Sequence, residues 1–193
     1  MKRTLILSAC VLAAYFLFAR KAGAVYADSG GADVGNPFYF SLGKIMQPAQ
    51  HLSQAGLERL KTRERFSATP YNDPPGSDKW SIGYGHQIKP GESFTVISEA
   101  TGELILESDV ITAENAINNN VSATLTQNQF DALVSFVFNI GVGAFLHGSV
   151  PEKLNNGQFD AAVATMKLYK NSNGEESPIL VARRKSEAAQ FLA

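Results

Sequence analysis

Cysteine is almost absent from this chain of 193 residues: Cys10 is its one thiol, so these residues cannot form an intramolecular disulfide. An excess of one charge is also lacking, because 17 Lys and Arg are balanced by 18 Asp and Glu. The sequence has no basic patch of the kind that binds nucleic acid. It also has no metal-ligand cluster, no phosphate-binding loop and no Ser-His-Asp arrangement. These absences argue against a disulfide-stapled fold, a nucleic-acid partner and a metal or cofactor.

The charge that is present is distributed unevenly. Residues 1–50 contain five Lys and Arg against two Asp and Glu, a net charge of +3, and residues 51–193 contain twelve against sixteen, a net charge of −4. The remaining length, about 140 residues, is ordinary for one domain with a hydrophobic core. We therefore divide the chain into an N-terminal segment (1–21), a linker (22–50) and one domain (51–193).

The N-terminal segment contains an apolar run from residue 4 to residue 19, which ends at Arg20 and Lys21. At about 1.5 Å per residue the run reaches about 24 Å, slightly less than a bilayer core of about 30 Å. We predict an uncleaved membrane anchor, because two basic residues are unfavourable between an apolar run and the small-residue site at 22–24. A cleaved secretory signal is the alternative. The Gly-rich stretch that follows is typical of a flexible tether.

One acidic residue stands where a predicted helix ends. Ser53 is suited to cap a helix that runs through Leu57 and Leu60 and ends near Glu64. The spacing places Leu57, Leu60 and Glu64 on one face. Glu64 is therefore expected on the apolar side of the domain, where burial favours a protonated acid.

A second acid, Asp73, precedes a turn-rich connection. Residues 71–73 and 80–84 flank this connection, which predicts a short β-hairpin with Ser81 on its second strand. A carboxylic acid, a carboxylate and a hydroxyl around one bond and one water suffice for the cleavage of a glycosidic linkage. His86, which ends the second strand, is interpreted as structural.

Further helices are predicted downstream. Ser98 is suited to cap a helix that runs towards Ile117, with a possible break near Ser108. A capping box at residues 126–129 opens an amphipathic helix that Gly141 stops. The final helices are predicted at residues 159–166 and 181–192.

Three ordered blocks, residues 62–86, 125–145 and 180–187, resemble the phage-type lysozymes, the muramidases with which many bacteriophages open host cell walls. The resemblance covers residues 51–193. It implies an α+β, lysozyme-like fold that is mainly helical, with a small β-hairpin lobe beside a cleft. Arg183 and Arg184, in the third block, are expected to pair with acids of the domain rather than with an anionic substrate.

The resemblance also implies an activity: hydrolysis of the β-1,4 bond between N-acetylmuramic acid and N-acetylglucosamine in peptidoglycan. Glu64 is then the general acid, Asp73 polarises the attacking water or stabilises the cationic transition state, and Ser81 holds the water. Residues expected to border the substrate groove are Tyr84, Asn139 and Phe145. No cofactor is implied. The chain departs from the family pattern at Arg65, where the family usually has Gly, and at Ser81, where it usually has Thr.

Other functions stay open from the sequence. A lytic transglycosylase uses one acid, whereas a non-catalytic wall-binding or structural virion protein uses none. The catalytic domain is expected on the periplasmic or wall side of the membrane that residues 4–19 would bind, or at a virion membrane with other virion proteins as partners. Signal-anchor-release endolysins, whose anchor later leaves the membrane, are a further alternative for the N-terminus.

Overall fold

The computed structural model describes residues 48–72 and 76–193. The predictions for the membrane segment, for the tether and for Asp73 lie outside these residues. The described residues belong to one folded unit. Its helices and strands are, in chain order, α1 (Gln54–Glu64), β1 (Ser67–Asn72), β2 (Trp80–Gly83), β3 (His86–Gln87), α2 (Glu99–Asn120), α3 (Gln127–Ile140), α4 (Val142–His147), α5 (Val150–Asn155), α6 (Phe159–Met166), β4 (Asn171–Ser172), β5 (Glu175–Glu176) and α7 (Pro178–Phe191).

Helix α1 begins and ends where the sequence predicted. Ser53 Oγ accepts a hydrogen bond from the Gly56 N–H and so satisfies one of the free donors of the first turn. Leu57 and Leu60 are buried on the inner face. The helix ends at Glu64, so the predicted acid occupies its last position.

The predicted hairpin is confirmed as part of a three-stranded antiparallel sheet in the order β1-β2-β3. Tyr71 lies opposite Ser81, and Ser67 lies opposite Gly83, so four steps along β1 correspond to two along β2. This irregularity contains Pro70, which lacks the N–H for a regular ladder and is tolerated here because β1 is an edge strand.

The break predicted near Ser108 is wrong, because α2 runs unbroken for 22 residues. Ser108 is exposed and its neighbours Leu106 and Val110 are buried, so the serine faces solvent without disturbing the packed face. The predicted cap is confirmed, since Ser98 Oγ accepts from the Thr101 N–H.

Helix α3 is the centre of the domain. The predicted capping box is confirmed between Thr126 and Gln129, and the helix ends before Gly141, whose φ is 85°. Residues 130–137 are all buried, so the helix is covered on every side rather than on one amphipathic stripe. It packs on α1, α2 and α7 among others.

The C-terminal third differs from the sequence prediction in four places. Helices α4 and α5, of six residues each, were not predicted, and neither was the exposed β4–β5 hairpin. The predicted helix at residues 159–166 is confirmed as α6. Helix α7 begins at Pro178, earlier than predicted, because Ser177 caps it and proline suits a first helical position.

Candidate active site

Glu64 is the last residue of α1 and precedes the first residue of β1 by three positions. Its side chain is 17% exposed, and its Oε1 lies 2.7 Å from Arg183 Nη2 on α7. The contact is an ion pair rather than an aligned hydrogen bond. On the other side, a Cβ built on Gly85 would lie 4.0 Å from Glu64 Oε2. The carboxyl group is therefore held between a guanidinium group and a bare stretch of backbone.

A buried ionic cluster on α7 supports that arginine. Glu187 is fully buried and receives Arg183 Nε at 3.0 Å and Arg184 Nε at 2.9 Å. Arg184 is also fully buried, stacks on the Phe136 ring at 4.9 Å and donates to Asn139 Oδ1 at 2.7 Å. Burial lowers the pKa of Arg184, and the charge of Glu187 partly offsets this effect. The expectation that Arg183 and Arg184 pair with acids of the domain is confirmed.

A groove runs past Gly85 between the sheet and the C-terminal end of α3. Its volume is about 290 Å³. Polar and apolar side chains both line it, which suits a carbohydrate with its mixed hydroxyl and C–H surfaces. The lining residues are Gly85, His86, Gln87, Lys89, Asp109, Thr112, Ala113, Val137, Phe138, Gly141 and Val142.

His86 has a structural position at the base of this groove. It is buried, with Nδ1 2.8 Å from Asp109 Oδ2 and Nε2 3.0 Å from Glu92 Oε2. The bond to Asp109 raises the pKa of His86, burial opposes the rise, and Glu92 adds to it. Both ring nitrogens are occupied by carboxylates, which agrees with the structural interpretation of this residue.

The other predicted residues, Tyr84, Asn139 and Phe145, are not among those that line the groove. Tyr84 is only 4% exposed; its hydroxyl donates to Glu99 Oε1 at 2.8 Å, and its ring packs on Phe66. Burial, followed by that hydrogen bond, raises the pKa of Tyr84 to about 12. Phe145 is 1% exposed and lies in the core, whereas Asn139 is exposed. Of these three residues, only Asn139 has an accessible side chain.

Of the three predicted catalytic residues, the structure describes Glu64 and Ser81. Ser81 is buried in β2, opposite Tyr71 in β1 and Gln87 in β3. Asp73 lies outside the described residues. The sequence reasoning did not anticipate that Arg183 reaches Glu64; the resemblance of residues 180–187 to the family's C-terminal helix was the available signal.

Within residues 48–72 and 76–193, no group of three His, Cys, Asp or Glu side chains is arranged to hold a metal ion. No helix in the same ranges combines the length and apolar character that a membrane crossing requires.

Comparison with known sequences identifies relatives of this chain. The sequence model of the phage lysozyme family, described as "Phage lysozyme", matches residues 61–187. An endolysin of Salmonella phage P22 is 38% identical over 147 residues, which cover 74% of this chain and 98% of the relative. An endolysin of Bacillus phage PZA is 37% identical over 140 residues, 72% of this chain and 54% of the relative. The chain thus spans about half the length of the Bacillus phage relatives it matches. A SAR-endolysin of Bacteriophage PS119 is 31% identical over 121 residues, 61% of this chain and 70% of the relative.

Solved structures give the same picture. The muramidase domain of SpmX from Asticaccaulis excentricus superposes with a TM-score of 0.68 at 34% identity, covering 75% of this chain and 99% of that domain. A mutant of P22 lysozyme superposes with a TM-score of 0.66, also at 34% identity, with coverage of 75% and 99%. The predicted lysozyme-like α+β fold is confirmed.

Proposed function

This chain belongs to the phage lysozyme family, and on that premise we propose that it hydrolyses the β-1,4 bond between N-acetylmuramic acid and N-acetylglucosamine in peptidoglycan. The observation that carries the proposal is the position of Glu64. It is an acid at a helix end, mostly removed from solvent, beside the backbone of Gly85 at one wall of a groove. Such a position suits a group that donates a proton to a glycosidic oxygen in the groove.

In the proposed mechanism Glu64 protonates the leaving oxygen. Arg183 then pairs with the carboxylate that results, because its Nη2 lies 2.7 Å from Glu64 Oε1. The ion pair with Glu187 keeps Arg183 in place, because a movement of Arg183 towards the substrate would remove one partner of the buried Glu187 carboxylate.

We assign the second carboxylate to Asp73, which would polarise the attacking water or stabilise the cationic transition state. The support is its place in the sequence: it directly follows Asn72, the last residue of β1, which pairs with Trp80 beside Ser81. Ser81 would hold the water. We expect a separation of about 6.5–9.5 Å between the carboxyl groups of Glu64 and Asp73, as in inverting glycosidases.

The three residues expected at the substrate receive different roles. Asn139 is assigned a direct contact, because it is exposed and directly follows Phe138, which lines the groove. Tyr84 and Phe145 are assigned to the support of the wall, because almost no part of either side chain is accessible.

The test is a comparison of Glu64→Gln with Glu58→Gln on peptidoglycan embedded in a gel. Both replacements exchange a carboxylate for an amide on α1, but Glu58 is exposed, and among the described residues its side chain forms hydrogen bonds only with Gln54 and Lys61. We expect Glu64→Gln to lose at least about 100-fold in activity and Glu58→Gln to keep the wild-type rate. Near wild-type clearing by Glu64→Gln, with unchanged melting, would contradict the assignment. Anhydro-sugar products in the mass spectrum would instead identify a transglycosylase.

We further propose that the catalytic domain begins a few residues before α1. Gln50 exchanges two hydrogen bonds with the Asn118 side chain, and the Leu52 N–H donates to buried Glu114 Oε1 at 2.7 Å. The Ser53 N–H donates to Asp131 Oδ1 in α3. A fragment that starts at Met46 is therefore expected to melt at a higher temperature than one that starts at Gln54. Equal melting temperatures would show that these contacts do not stabilise the domain.

For the N-terminus we propose an anchor at residues 4–19 that holds the domain on the periplasmic or wall side of a membrane. The support is the apolar run and the similarity to SAR-endolysins. The full chain is expected in the membrane fraction and a fragment from Met46 in the soluble fraction. N-terminal sequencing that finds a mature chain starting near residue 25 would show a cleaved signal instead.

A further inference from the structure

A small pocket at the other end of α3 contains two arginines and no acidic side chain. Arg59 and Arg63, four residues apart on α1, lie on the same side of the helix. The pocket has a volume of about 190 Å³, smaller than the pockets that hold whole small molecules, which are about 300–1,000 Å³. We call it the basic pocket; it is lined by Arg59, Arg63, Asn128, Ser186, Gln190 and Ala193.

We propose that the basic pocket binds a phosphate group. No carboxylate of the described residues forms an ion pair with either arginine, although the charge of Glu187 acts on Arg63 from nearby. Arg63 donates only to neutral groups, Ser135 Oγ and Ser186 Oγ at 3.0 Å each and Gln190 Oε1 at 3.4 Å. Arg59 is exposed and forms no ion pair within the described part of the chain. An oxyanion is the ligand that this arrangement attracts.

Hydrogen-bond donors in the basic pocket also lack partners. Gln190 Nε2 is buried and has no acceptor. Its orientation follows from Arg63, which can only donate and therefore faces the amide oxygen and not the nitrogen. Asn128 forms no side-chain hydrogen bond with any other described residue. A buried donor without an acceptor is unfavourable, so a ligand that supplies oxygen atoms relieves a cost already present in the free protein.

The number of donors favours phosphate over carboxylate. The side chains converge from three helices, α1, α3 and α7. A phosphate offers more oxygens, in a tetrahedral arrangement, than the two coplanar oxygens of a carboxylate, and guanidinium groups bind phosphate with paired hydrogen bonds. The pocket is large enough for one such group and too small for a disaccharide.

The basic pocket and the groove lie at opposite ends of α3, although Arg63, which lines the pocket, directly precedes Glu64 in α1 and contacts Ser135 together with Arg183. Asn128 stands at the start of α3 and Phe138, which lines the groove, stands ten residues later, about 15 Å along the helix. The pocket and the groove share no lining residue, and Glu64 does not line the pocket, so a phosphate can bind there without occupying the groove. The proposal therefore does not depend on the hydrolytic activity and can be tested without it.

The experiment is a titration of the full-length protein, in a nonionic detergent, with sodium phosphate at constant ionic strength. NMR signals of arginine side-chain Nε–H groups and of the Gln190 amide report binding. We expect saturable shifts of these signals with phosphate. Phosphate should bind Arg59→Gln about tenfold more weakly than it binds the wild type, and acetate should bind the wild type at least about tenfold more weakly than phosphate does. Lys185→Gln is the matched control, because it removes the same charge from an exposed position next to the pocket and is expected to bind as the wild type does.

Three results would overturn the proposal: no saturable shift with phosphate, equal weakening by Lys185→Gln and Arg59→Gln, or equal binding of acetate and phosphate. Arg59 is exposed, so its replacement is expected to leave the protein folded, and a melting curve verifies this. Two esters identify the source of the phosphate. Glycerophosphoglycerol that binds as tightly as inorganic phosphate indicates a phosphodiester of a wall polymer or lipid. Binding of only inorganic phosphate and glycerol phosphate indicates a free phosphate or a monoester.

Discussion

Replacement of Arg65 by glycine is predicted to stabilise this protein. Arg65 ends α1 with φ 60° and ψ 146°, a backbone conformation that is close to exclusive to glycine. Its N–H donates to the Lys61 carbonyl, so the end of the helix holds the residue in this conformation. The phage-type lysozymes that the sequence resembles usually have glycine at this point. The backbone geometry supplies a physical reason for that preference.

The magnitude follows from two opposing terms. A non-glycine residue in such a region costs about 1–3 kcal/mol, and we take about 2 kcal/mol. Glycine loses more conformational freedom on folding, which costs about 1 kcal/mol. The net expectation for Arg65→Gly is a gain of about 1 kcal/mol in the free energy of unfolding. For a domain of this size that corresponds to a rise of about 3 °C in melting temperature.

Arg65→Ala separates the backbone effect from the loss of charge. Arg65 is exposed, so its charge contributes little, and alanine keeps the strain that glycine relieves. Thermal and urea unfolding of the three proteins should rank Arg65→Gly as the most stable, with Arg65→Ala close to the wild type. If Arg65→Gly is no more stable than Arg65→Ala, strain at this position is not a cost and the reasoning fails.

Two further predictions concern groups around the groove. Arg183→Gln should lower the rate of muropeptide release by about tenfold and the free energy of unfolding by about 2 kcal/mol. The reason is that the replacement leaves a buried acid without its partner. An unchanged rate together with an unchanged melting temperature would rule out a role beside Glu64. His86→Gln should destabilise most near pH 5.5 and less at pH 9, measured as the difference in melting temperature from the wild type. The sign follows because the raised pKa of His86 gives stability that is complete below its unfolded value of 6.5 and is lost as pH rises through the folded pKa. Burial raises the pKa of Glu92, but the bonds from the Lys89 N–H and from His86 lower it by more, so the net pKa lies below the usual 4.5. The stability that Glu92 contributes is therefore present above pH 4.5 and is lost in more acid solution. A difference that grows towards pH 9 would contradict the pairing of His86 with Asp109 and Glu92.

The features that local sequence signals predict are those whose causes are local. Ser53, Ser98 and the capping box at Thr126 each satisfy donors within the same helix turn, so a few neighbouring residues suffice to find the helix starts. The hairpin was missed at residues 171–176 although Asn173 and Gly174, with φ 53° and 85°, form a typical hairpin turn. Its strands have two residues each and are exposed, so no hydrophobic alternation marks them.

The sequence by itself determined the family, the helix that carries Glu64 and the strand that carries Ser81, because each is written in a contiguous motif. Only the tertiary structure decided which charge meets Glu64. The adjacent Arg65 turns outward at a strained helix end, whereas Arg183 reaches the carboxyl group from α7. The structure also decided that Tyr84 and Phe145 are buried and that Asn139 is accessible. Burial and pairing between distant segments depend on how α1, α3 and α7 pack together, and no local pattern of residues specifies that packing.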